Sequence, residues 1–374
     1  MMKRRIGLFF SLALGLLAIL PLLNIAHSGL SRETFTQPRT LYRLDPVIPY
    51  LSQWLLPLGV SPFAEQVVVG QQGWLFLGDR YAHTLSAKRQ PALPAQVAPS
   101  AAALTQWRRY VQQRGVMDMY LMIGPDKGSV YSHRLPRWAT PQPPSHAALL
   151  AASPFGHRVV NPTAALQAQR DRAEDDLYYR TDTHWNALGA WQAFDTLMAQ
   201  LQAHHPTLRH PLQARYTGTV PTDGGDLADF LRLGAHLVDK EPQLALNATA
   251  QVRQYRWPEN TLVAEGGPGR IGTQREPLRV VSDNAANPLR VLWLRDSFGT
   301  ALAPYMALTF AETLQLDYDR TPPARFAELV EGFTPDLVII TAVERNLRND
   351  FFSALPPSSA ILDTHSLGAL LGSQ

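Results

Sequence analysis

The sequence predicts an α/β protein built on a doubly wound, mostly parallel sheet with a small inserted β-rich region. Apolar runs typical of buried strands alternate with segments of helical spacing, and such alternation favours parallel strands joined by helices. With 374 residues and 45% hydrophobic content, the chain can bury a large core. We therefore expect one large domain after the N-terminal segment.

A positively charged N-terminus precedes an uncharged, apolar stretch. Lys3-Arg4-Arg5 is followed by Ile6 to Leu23, about 18 residues, which is within the range needed to cross a bilayer as a helix. The positive cluster should remain in the cytoplasm, so the rest of the chain is sent to the far side. We predict an uncleaved membrane anchor at residues 1–28, while small residues at Ala26-His27-Ser28 leave signal cleavage open.

The segment after the anchor is predicted as a linker, because prolines recur along residues 29–62. The domain then covers residues 63–374 and carries an insertion at about 206–288. Near its start, Val67 to Leu77 is predicted as a hairpin with Gly70 to Gly73 as its turn.

A helix, a strand and a loop are expected next. Ala101 to Arg114 has apolar residues at helical spacing, and Val116 to Ile123 follows as the first parallel strand. The prolines between Pro136 and Pro154 predict a surface loop, and a short strand is expected at His157 to Val160.

The clearest helix follows the motif Asp182-Thr183-His184-Trp185. Apolar residues from Trp185 to Leu201 recur every three or four positions and form one stripe. Asp182 or Thr183 is predicted to cap this helix, which places His184 in its first turn. There the positive end of the helix dipole would keep the imidazole of His184 neutral and able to accept a proton.

The C-terminal half begins with an irregular region, and strands then alternate with helices. Residues 206–288 are rich in Gly, Pro and polar residues, and we expect a small β region beside the sheet, with strands at Ala250 to Arg256 and Leu278 to Val281. Later strands and helices are predicted in alternation, which supports the parallel sheet: strands at Arg290 to Leu294, Glu312 to Leu316 and Leu337 to Thr341, and helices at Thr300 to Leu308 (broken by Pro304) and Ala324 to Gly332.

Two motifs that lie far apart in the chain supply the parts of a serine nucleophile. Ser297 directly follows an apolar run that is predicted as a buried strand, and Asp182 and His184 stand two positions apart. A serine hydroxyl attacks when an imidazole takes its proton and a carboxylate orients that imidazole. We predict these three residues as a catalytic triad, and we expect the neighbouring Asp296 to stabilise the turn instead.

The same motifs resemble a known family. Asp182-Thr183-His184-Trp185 followed by Arg295-Asp296-Ser297-Phe298 is similar to the SGNH-hydrolase-like acetyltransferases of bacterial exopolysaccharides, typified by the alginate O-acetyltransferases AlgJ and AlgX. Arg295 departs from the family pattern, in which a Gly often stands there. Further matching stretches follow one another from about Val67 to Asn349: Gly73 to Asp79, Pro125 to Lys127, Tyr131, Leu135-Pro136, Gly225 to Leu227 and Glu344 to Asn346.

The resemblance implies an SGNH-hydrolase-like fold and an extracytoplasmic enzyme in the periplasm, held at the inner membrane by the N-terminal segment or cleaved and soluble. It implies an O-acetyltransferase that moves an acetyl group through an acetyl-serine to hydroxyls of a secreted polysaccharide, with no cofactor. Because acetyl-CoA is cytoplasmic, it also implies a membrane-bound MBOAT-type acyltransferase as the acetyl supplier. AlgX-like members carry an extra carbohydrate-binding module, which we do not expect here, so the chain is more similar to AlgJ.

Several further residues are candidates for contacts to substrate, although ion pairs and caps explain most of them equally well and the core explains Trp185 better. These residues are Lys127, Tyr131, Trp185, Arg295, Glu344, Arg345 and Asn346. No metal is predicted, because zinc needs three or four ligands and no third ligand clusters with Asp182 and His184.

Two alternatives to acetyl transfer stay open on the sequence: an acetyl-esterase with the same triad, and a non-catalytic scaffold of a polysaccharide secretion complex. The formal net charge is only +3, with a pI near 9.1. Because no Lys/Arg block occurs beyond the N-terminus, a nucleic-acid partner is not expected. An anionic polysaccharide is compatible with this charge without being required by it.

Overall fold

The computed structural model describes residues 2–28 and 37–357. Its strands are, in chain order, β1 (Val67–Val69), β2 (Leu75–Leu77), β3 (Asp118–Gly124), β4 (Val159–Val160), β5 (Ala214–Asp223), β6 (Val238–Leu246), β7 (Val252–Arg256), β8 (Thr261–Gly266), β9 (Leu278–Ser282), β10 (Asn287–Arg295), β11 (Phe310–Leu316) and β12 (Leu337–Val343). Its α-helices are α1 (Met2–Ser28), α2 (Ile48–Leu55), α3 (Pro94–Gln112), α4 (Lys127–Val130), α5 (His146–Ala151), α6 (Thr163–Gln169), α7 (Ala187–His204), α8 (Asp226–Phe230), α9 (Ala303–Thr309) and α10 (Pro323–Phe333).

The central sheet has eight strands in the order β4-β3-β12-β10-β11-β9-β7-β8. The first five of these are parallel, and the last three are antiparallel. This arrangement confirms the mostly parallel α/β sheet expected from the alternating pattern. The predicted hairpin is also present, with β1 and β2 paired in antiparallel fashion.

Helices cover both faces of the sheet, because the parallel strands are apolar on both sides. Successive residues of a strand point to opposite faces. Thus Trp293 belongs to the core beneath α7, and its neighbour Leu292 belongs to the core beneath α3 and α10. Parallel strands joined in this way end at one common edge of the sheet, which is where ligands bind in such folds.

The insertion at 206–288 differs from the expected region beside the sheet. Only β5 and β6 form a separate two-stranded sheet, whereas β7, β8 and β9 extend the central sheet. The reason lies in the alternation along β9, where Leu278 and Val280 are buried and Arg279 is not. Burying that apolar face on the main core stabilises the strand as part of the sheet.

Two segments predicted as irregular contain helices. Within Pro136 to Pro154, α5 forms and buries Ala147 and Leu150 against the core under α3. Within the predicted linker 29–62, α2 forms, and residues 29–36 lie outside the described residues. Pro304 does not break its helix, because it falls at the start of α9, where proline is tolerated.

The N-terminal helix α1 contains a segment, Phe9–Ala26, that is long and apolar enough to cross a membrane, a test that a signal sequence also satisfies. Near its end, the Asn24 side chain donates hydrogen bonds to the carbonyl oxygens of Leu41 and Arg43. These contacts attach the end of α1 to the segment that follows it.

Candidate active site

The three residues of the predicted triad meet at the carboxyl end of β10. Ser297 begins a short 3-10 helix, Ser297–Ala301, directly after this strand, while Asp182 and His184 lie in the loop before α7. His184 Nε2 lies 2.8 Å from the Ser297 hydroxyl, and His184 Nδ1 lies 2.6 Å from Asp182 Oδ1. Both distances are within the range of hydrogen bonds. The three side chains are therefore linked by hydrogen bonds from the Asp182 carboxylate to the Ser297 hydroxyl.

The turn that carries Ser297 is held by the carboxylate of Asp296. One oxygen accepts a 2.9 Å hydrogen bond from the N–H of Phe298, and the other accepts a 2.7 Å bond from the N–H of Val343. Asp296 therefore stabilises the turn. The N–H of Ser297 itself makes no hydrogen bond to the described residues, so it remains available to a ligand.

The start of the helix after the motif was predicted wrongly. Helix α7 begins at Ala187, and its cap is Asn186, whose side chain accepts from the N–H groups of Leu188 and Gly189. Asp182 cannot cap the helix, because its carboxylate already accepts from both the N–H and the ring of His184. His184 thus lies before the first turn, and the dipole argument for its neutral form does not apply.

Asp182 sets the protonation of His184 instead. Burial alone would lower the pKa of His184, but the hydrogen bond and charge of Asp182 raise that pKa above its ordinary value of 6.5. Burial would likewise raise the pKa of Asp182, yet the bond to His184 holds that pKa well below its usual range. The site therefore favours an imidazolium beside a carboxylate, the pair that forms when a base takes a proton from serine.

A second carboxylate, that of Asp226, lies close to the pair formed by Asp182 and His184. It accepts a 2.8 Å hydrogen bond from the N–H of Thr183 and another from the Thr183 hydroxyl. Its nearer oxygen is 3.8 Å from Nδ1 of His184. Burial and the charge of Asp182 raise the pKa of Asp226. In the sequence, Asp226 falls within a stretch that resembles the family and has no predicted role.

Asp182, His184 and Asp226 are close enough together to hold a metal ion. This corrects the statement that no third ligand clusters with the motif. The ring of His184 is nevertheless engaged by Asp182 through Nδ1 and by Ser297 through Nε2. These hydrogen bonds favour proton transfer along the chain of residues over coordination of a metal.

The triad opens into a cleft of about 420 Å³. Its walls come from the motif loop, the turn after β10 and the insertion. The residues that line it are Tyr179, Asp182, His184, Trp185, Thr222, Asp223, Gly224, Gly225, Asp239, Glu241, Arg270, Ser297, Thr300 and Ala301. Of the candidate substrate contacts named from the sequence, Trp185 alone is among them, and it is only 1% exposed because its ring packs on Phe298.

Lys127 and Tyr131 were candidates for the cleft, and both are instead buried behind it. The ammonium of Lys127 donates to the carbonyl oxygens of Tyr179, Arg180 and Asp182 at 2.6–3.1 Å. Burial lowers the pKa of Lys127 to about 8. Lys127 therefore supports the loop that carries Asp182. The Tyr131 hydroxyl supports the start of the same loop, where it accepts a hydrogen bond from the N–H of Leu177.

Arg295 is also absent from the cleft, because its side chain is fully buried. Its guanidinium donates to the carbonyl oxygens of Ile271 and Gly272 at 2.7 and 2.8 Å. Burial lowers its pKa to about 10. The residue that replaces the family's usual Gly thus fastens the end of β10 to the insertion, next to the cleft residue Arg270.

Glu344, Arg345 and Asn346 follow β12 and make structural contacts rather than lining the cleft. Arg345 pairs with Asp126 at 2.6 Å, and Glu344 pairs with Lys88 at 2.8 Å. The amide of Asn346 donates to the hydroxyl of Tyr318. These contacts place the three residues outside the cleft, in the ion pairs and hydrogen bonds that the sequence left as the alternative.

The polar residues that the insertion contributes to the cleft were not predicted from the sequence. Glu241 lies on β6, Asp223 ends β5, and Arg270 lies in the segment between β8 and β9. No local pattern marks them, because they come together only through the pairing of β5 with β6 and the folding of this segment over the motif loop. The cleft is therefore formed jointly by the motif loop, the turn after β10 and the insertion.

Comparison with known proteins agrees with this architecture. Residues 67–271 match a family described as the SGNH hydrolase-like domain of the acetyltransferase AlgX. Over 178 residues the chain is 30% identical to the probable alginate O-acetylase AlgJ of Pseudomonas aeruginosa, which covers 45% of this chain and 41% of that protein. The match thus spans less than half of the length of that relative.

Two solved structures share the fold at low sequence identity. PatB1 of Bacillus cereus, solved with a sulfonyl adduct, is 15% identical with a TM-score of 0.53, and the match covers 77% of this chain and 99% of that chain. A DHHW family protein from Eubacterium siraeum is 15% identical with a TM-score of 0.56, covering 80% and 98%. Since the family match alone covers more than half of the chain, this protein belongs to the SGNH-hydrolase-like acetyltransferases of the AlgX family.

Proposed function

We propose that this protein is an extracytoplasmic O-acetyltransferase that moves an acetyl group through acetyl-Ser297 to hydroxyls of a secreted polysaccharide. The observation that carries this proposal is the hydrogen-bonded chain from Asp182 through His184 to Ser297 at the base of an open cleft. Membership in an acetyltransferase family supports the choice of an acetyl group.

The first half-reaction acylates the serine. With Nδ1–H donated to Asp182, the Nε2 atom of His184 accepts the proton of Ser297 as its Oγ attacks the acetyl carbonyl carbon. The N–H of Ser297 makes no hydrogen bond within the described part of the chain and is suited to bind the oxyanion. The imidazolium then returns the proton to the departing donor group, which leaves acetyl-Ser297.

The second half-reaction transfers the acetyl group. A sugar hydroxyl in the cleft gives its proton to Nε2 of His184 and attacks the acetyl carbon. Collapse of the tetrahedral intermediate releases the acetylated sugar, and the imidazolium reprotonates Ser297. His184 is thus base and acid in turn, and the raised pKa caused by Asp182 stabilises the imidazolium in both half-reactions.

The proposed setting follows from the N-terminal helix. We assign residues 1–28 as an inner-membrane anchor or signal, 29–62 as a linker, and 63–374 as the acetyltransferase domain in the periplasm. Lys3-Arg4-Arg5 before an apolar segment favours this orientation. Since acetyl-CoA stays in the cytoplasm, the acetyl group must be delivered across the membrane, and an MBOAT-type acyltransferase is the proposed supplier.

Intact-mass measurement of the full chain after exposure to p-nitrophenyl acetate tests the central step. We expect one added acetyl group in the wild type and none in Ser297→Ala. An acetyl group that persists in Ser297→Ala would contradict the proposal. Addition of oligosaccharide then separates the alternatives: acetylated sugar indicates a transferase, and acetate alone indicates an esterase. If Ser297→Ala leaves polymer acetylation in cells unchanged, the scaffold alternative is correct.

A further inference from the structure

The charge of the cleft is opposite to that of the whole chain. The chain has a formal net charge of +3. Of the described residues that line the cleft, four carry carboxylates and one carries a guanidinium. The carboxylates are Asp182, Asp223, Asp239 and Glu241, and the cation is Arg270.

The two positive groups of the lining, the guanidinium of Arg270 and the imidazolium that His184 forms, are each paired with a carboxylate. Arg270 Nη2 lies 2.8 Å from Glu241 Oε1 and 3.1 Å from the hydroxyl of Tyr179. Tyr179 also donates its hydroxyl hydrogen to the other oxygen of Glu241. Both contacts engage Nη2, so a ligand carboxylate that approached Arg270 would lie beside the carboxylate of Glu241. The charge of Glu241 offsets that of the guanidinium and so weakens its attraction for a second carboxylate.

At the outer rim, Asp223 adds an uncompensated negative charge. It is the exposed last residue of β5 and forms no ion pair with the described residues. The nearby Lys240 pairs with Asp175 instead, at 3.6 Å. A polyuronate carries one carboxylate per sugar, and each like-charge pair about 4 Å apart at a solvated surface weakens binding about fivefold.

The same residues are well suited to a sugar that carries only hydroxyls. Carboxylates accept short, charge-assisted hydrogen bonds from O–H donors. Asp223 is free to accept in this way, and the hydroxyls of Thr222 and Thr300 lie on the same cleft. The described lining therefore offers acceptors to a polyol, and each of its positive groups already has a carboxylate partner.

We infer that the acetyl acceptor is a neutral glycan, with hydroxyls and no carboxylates on the sugar units that enter the cleft. This inference rests on the proposed function, because it names the acceptor of acetyl-Ser297. On this inference, polyuronates are not the acceptor.

Binding to the full chain in the Ser297→Ala background tests this inference without acetyl transfer. The ligands are matched hexasaccharides that differ only at C6: β-1,4-glucose against β-1,4-glucuronate, and β-1,4-mannose against β-1,4-mannuronate. We expect a neutral member to bind at least about fivefold more tightly than its uronate at low salt. Raising the salt concentration should strengthen uronate binding and leave neutral binding unchanged, because salt screens repulsion.

Substitution of the rim carboxylate sharpens the test. Asp223→Asn, added to Ser297→Ala, should strengthen the binding of uronates. The ratio of the affinity for the neutral hexasaccharide to the affinity for its uronate should therefore fall. Glu328→Gln, which removes an exposed carboxylate from α10, is the matched control and should leave the preference unchanged. Equal or tighter binding of the uronates, uronate binding that weakens with salt, or binding of neither class at millimolar concentration would overturn the inference.

The two proposals fail in distinguishable ways. A preference for neutral oligosaccharides without acetyl-Ser297 in the wild type overturns the enzymatic proposal and leaves the binding preference standing. Normal formation of acetyl-Ser297 with tighter binding of uronates overturns only the neutral acceptor.

Discussion

Gly225 lies directly against the carboxylate of Asp182, so closely that a β-carbon at Gly225 would be 2.3 Å from Oδ2 of Asp182. We therefore expect Gly225→Ala to displace the Asp182 side chain from its present position. Because displacement of a catalytic group by about 1 Å costs about 10²-fold in rate, we expect kcat with p-nitrophenyl acetate to fall by at least that factor. Gly266→Ala is the control, since its β-carbon would meet open space. A Gly225→Ala enzyme with wild-type kcat would contradict the importance of this contact.

Asp182→Asn should preserve the shape of the site while removing its charge. The amide can hold the ring of His184 in the wrong tautomer and no longer stabilises the imidazolium, an effect of about 10⁴-fold on kcat in a serine protease triad. Steady-state kinetics measure the loss, and a thermal melt checks that the fold is kept. A decrease of less than about tenfold would remove Asp182 from the proposed triad.

The pH profile reports the pKa of His184. The base acts in its neutral form, so the rate of Ser297 acetylation should rise with pH through this pKa. Since Asp182 raises the pKa above 6.5, the midpoint should lie above 6.5 in the wild type. In Asp182→Asn the lowering effect of burial is opposed only by the smaller effect of the Asp226 charge, so the midpoint should move to lower pH. If the midpoint is the same in Asp182→Asn and in the wild type, a group other than His184 controls the rise of the rate with pH.

Lys127→Met should weaken both the fold and the reaction. It removes the ammonium that donates to the carbonyl oxygens of Tyr179, Arg180 and Asp182, and of these Arg180 keeps a donor, the N–H of Leu75. We expect the free energy of unfolding to fall by about 1–3 kcal/mol, together with a lower kcat, because the Asp182 loop loses its support. Lys240→Met, at a lysine that is 62% exposed, should change the stability by less than about 0.5 kcal/mol. Chemical denaturation measures both, and equal stabilities would contradict the supporting role.

Local patterns predicted most of the sheet and less of the cleft. The strand before Ser297 and its parallel neighbours were recognisable because apolar runs and helical stripes are properties of short segments. The cap of α7 was predicted wrongly because Asp182 and Asn186 are both good caps, and only the tertiary bond to His184 decides between them. The meeting of Glu241 with Arg270 depends on how the insertion folds back, which no local pattern reveals.

The position of β12 has a consequence for the order in which the molecule is completed. This strand lies between β3 and β10, so the half of the sheet before the Asp182 loop and the half that carries Ser297 share no paired edge without it. Because chains are made from the N-terminus, residues 337–343 emerge last among the three strands. The pairing that joins the β3 half of the sheet to the half that carries Ser297 therefore waits until residues 337–343 have been made.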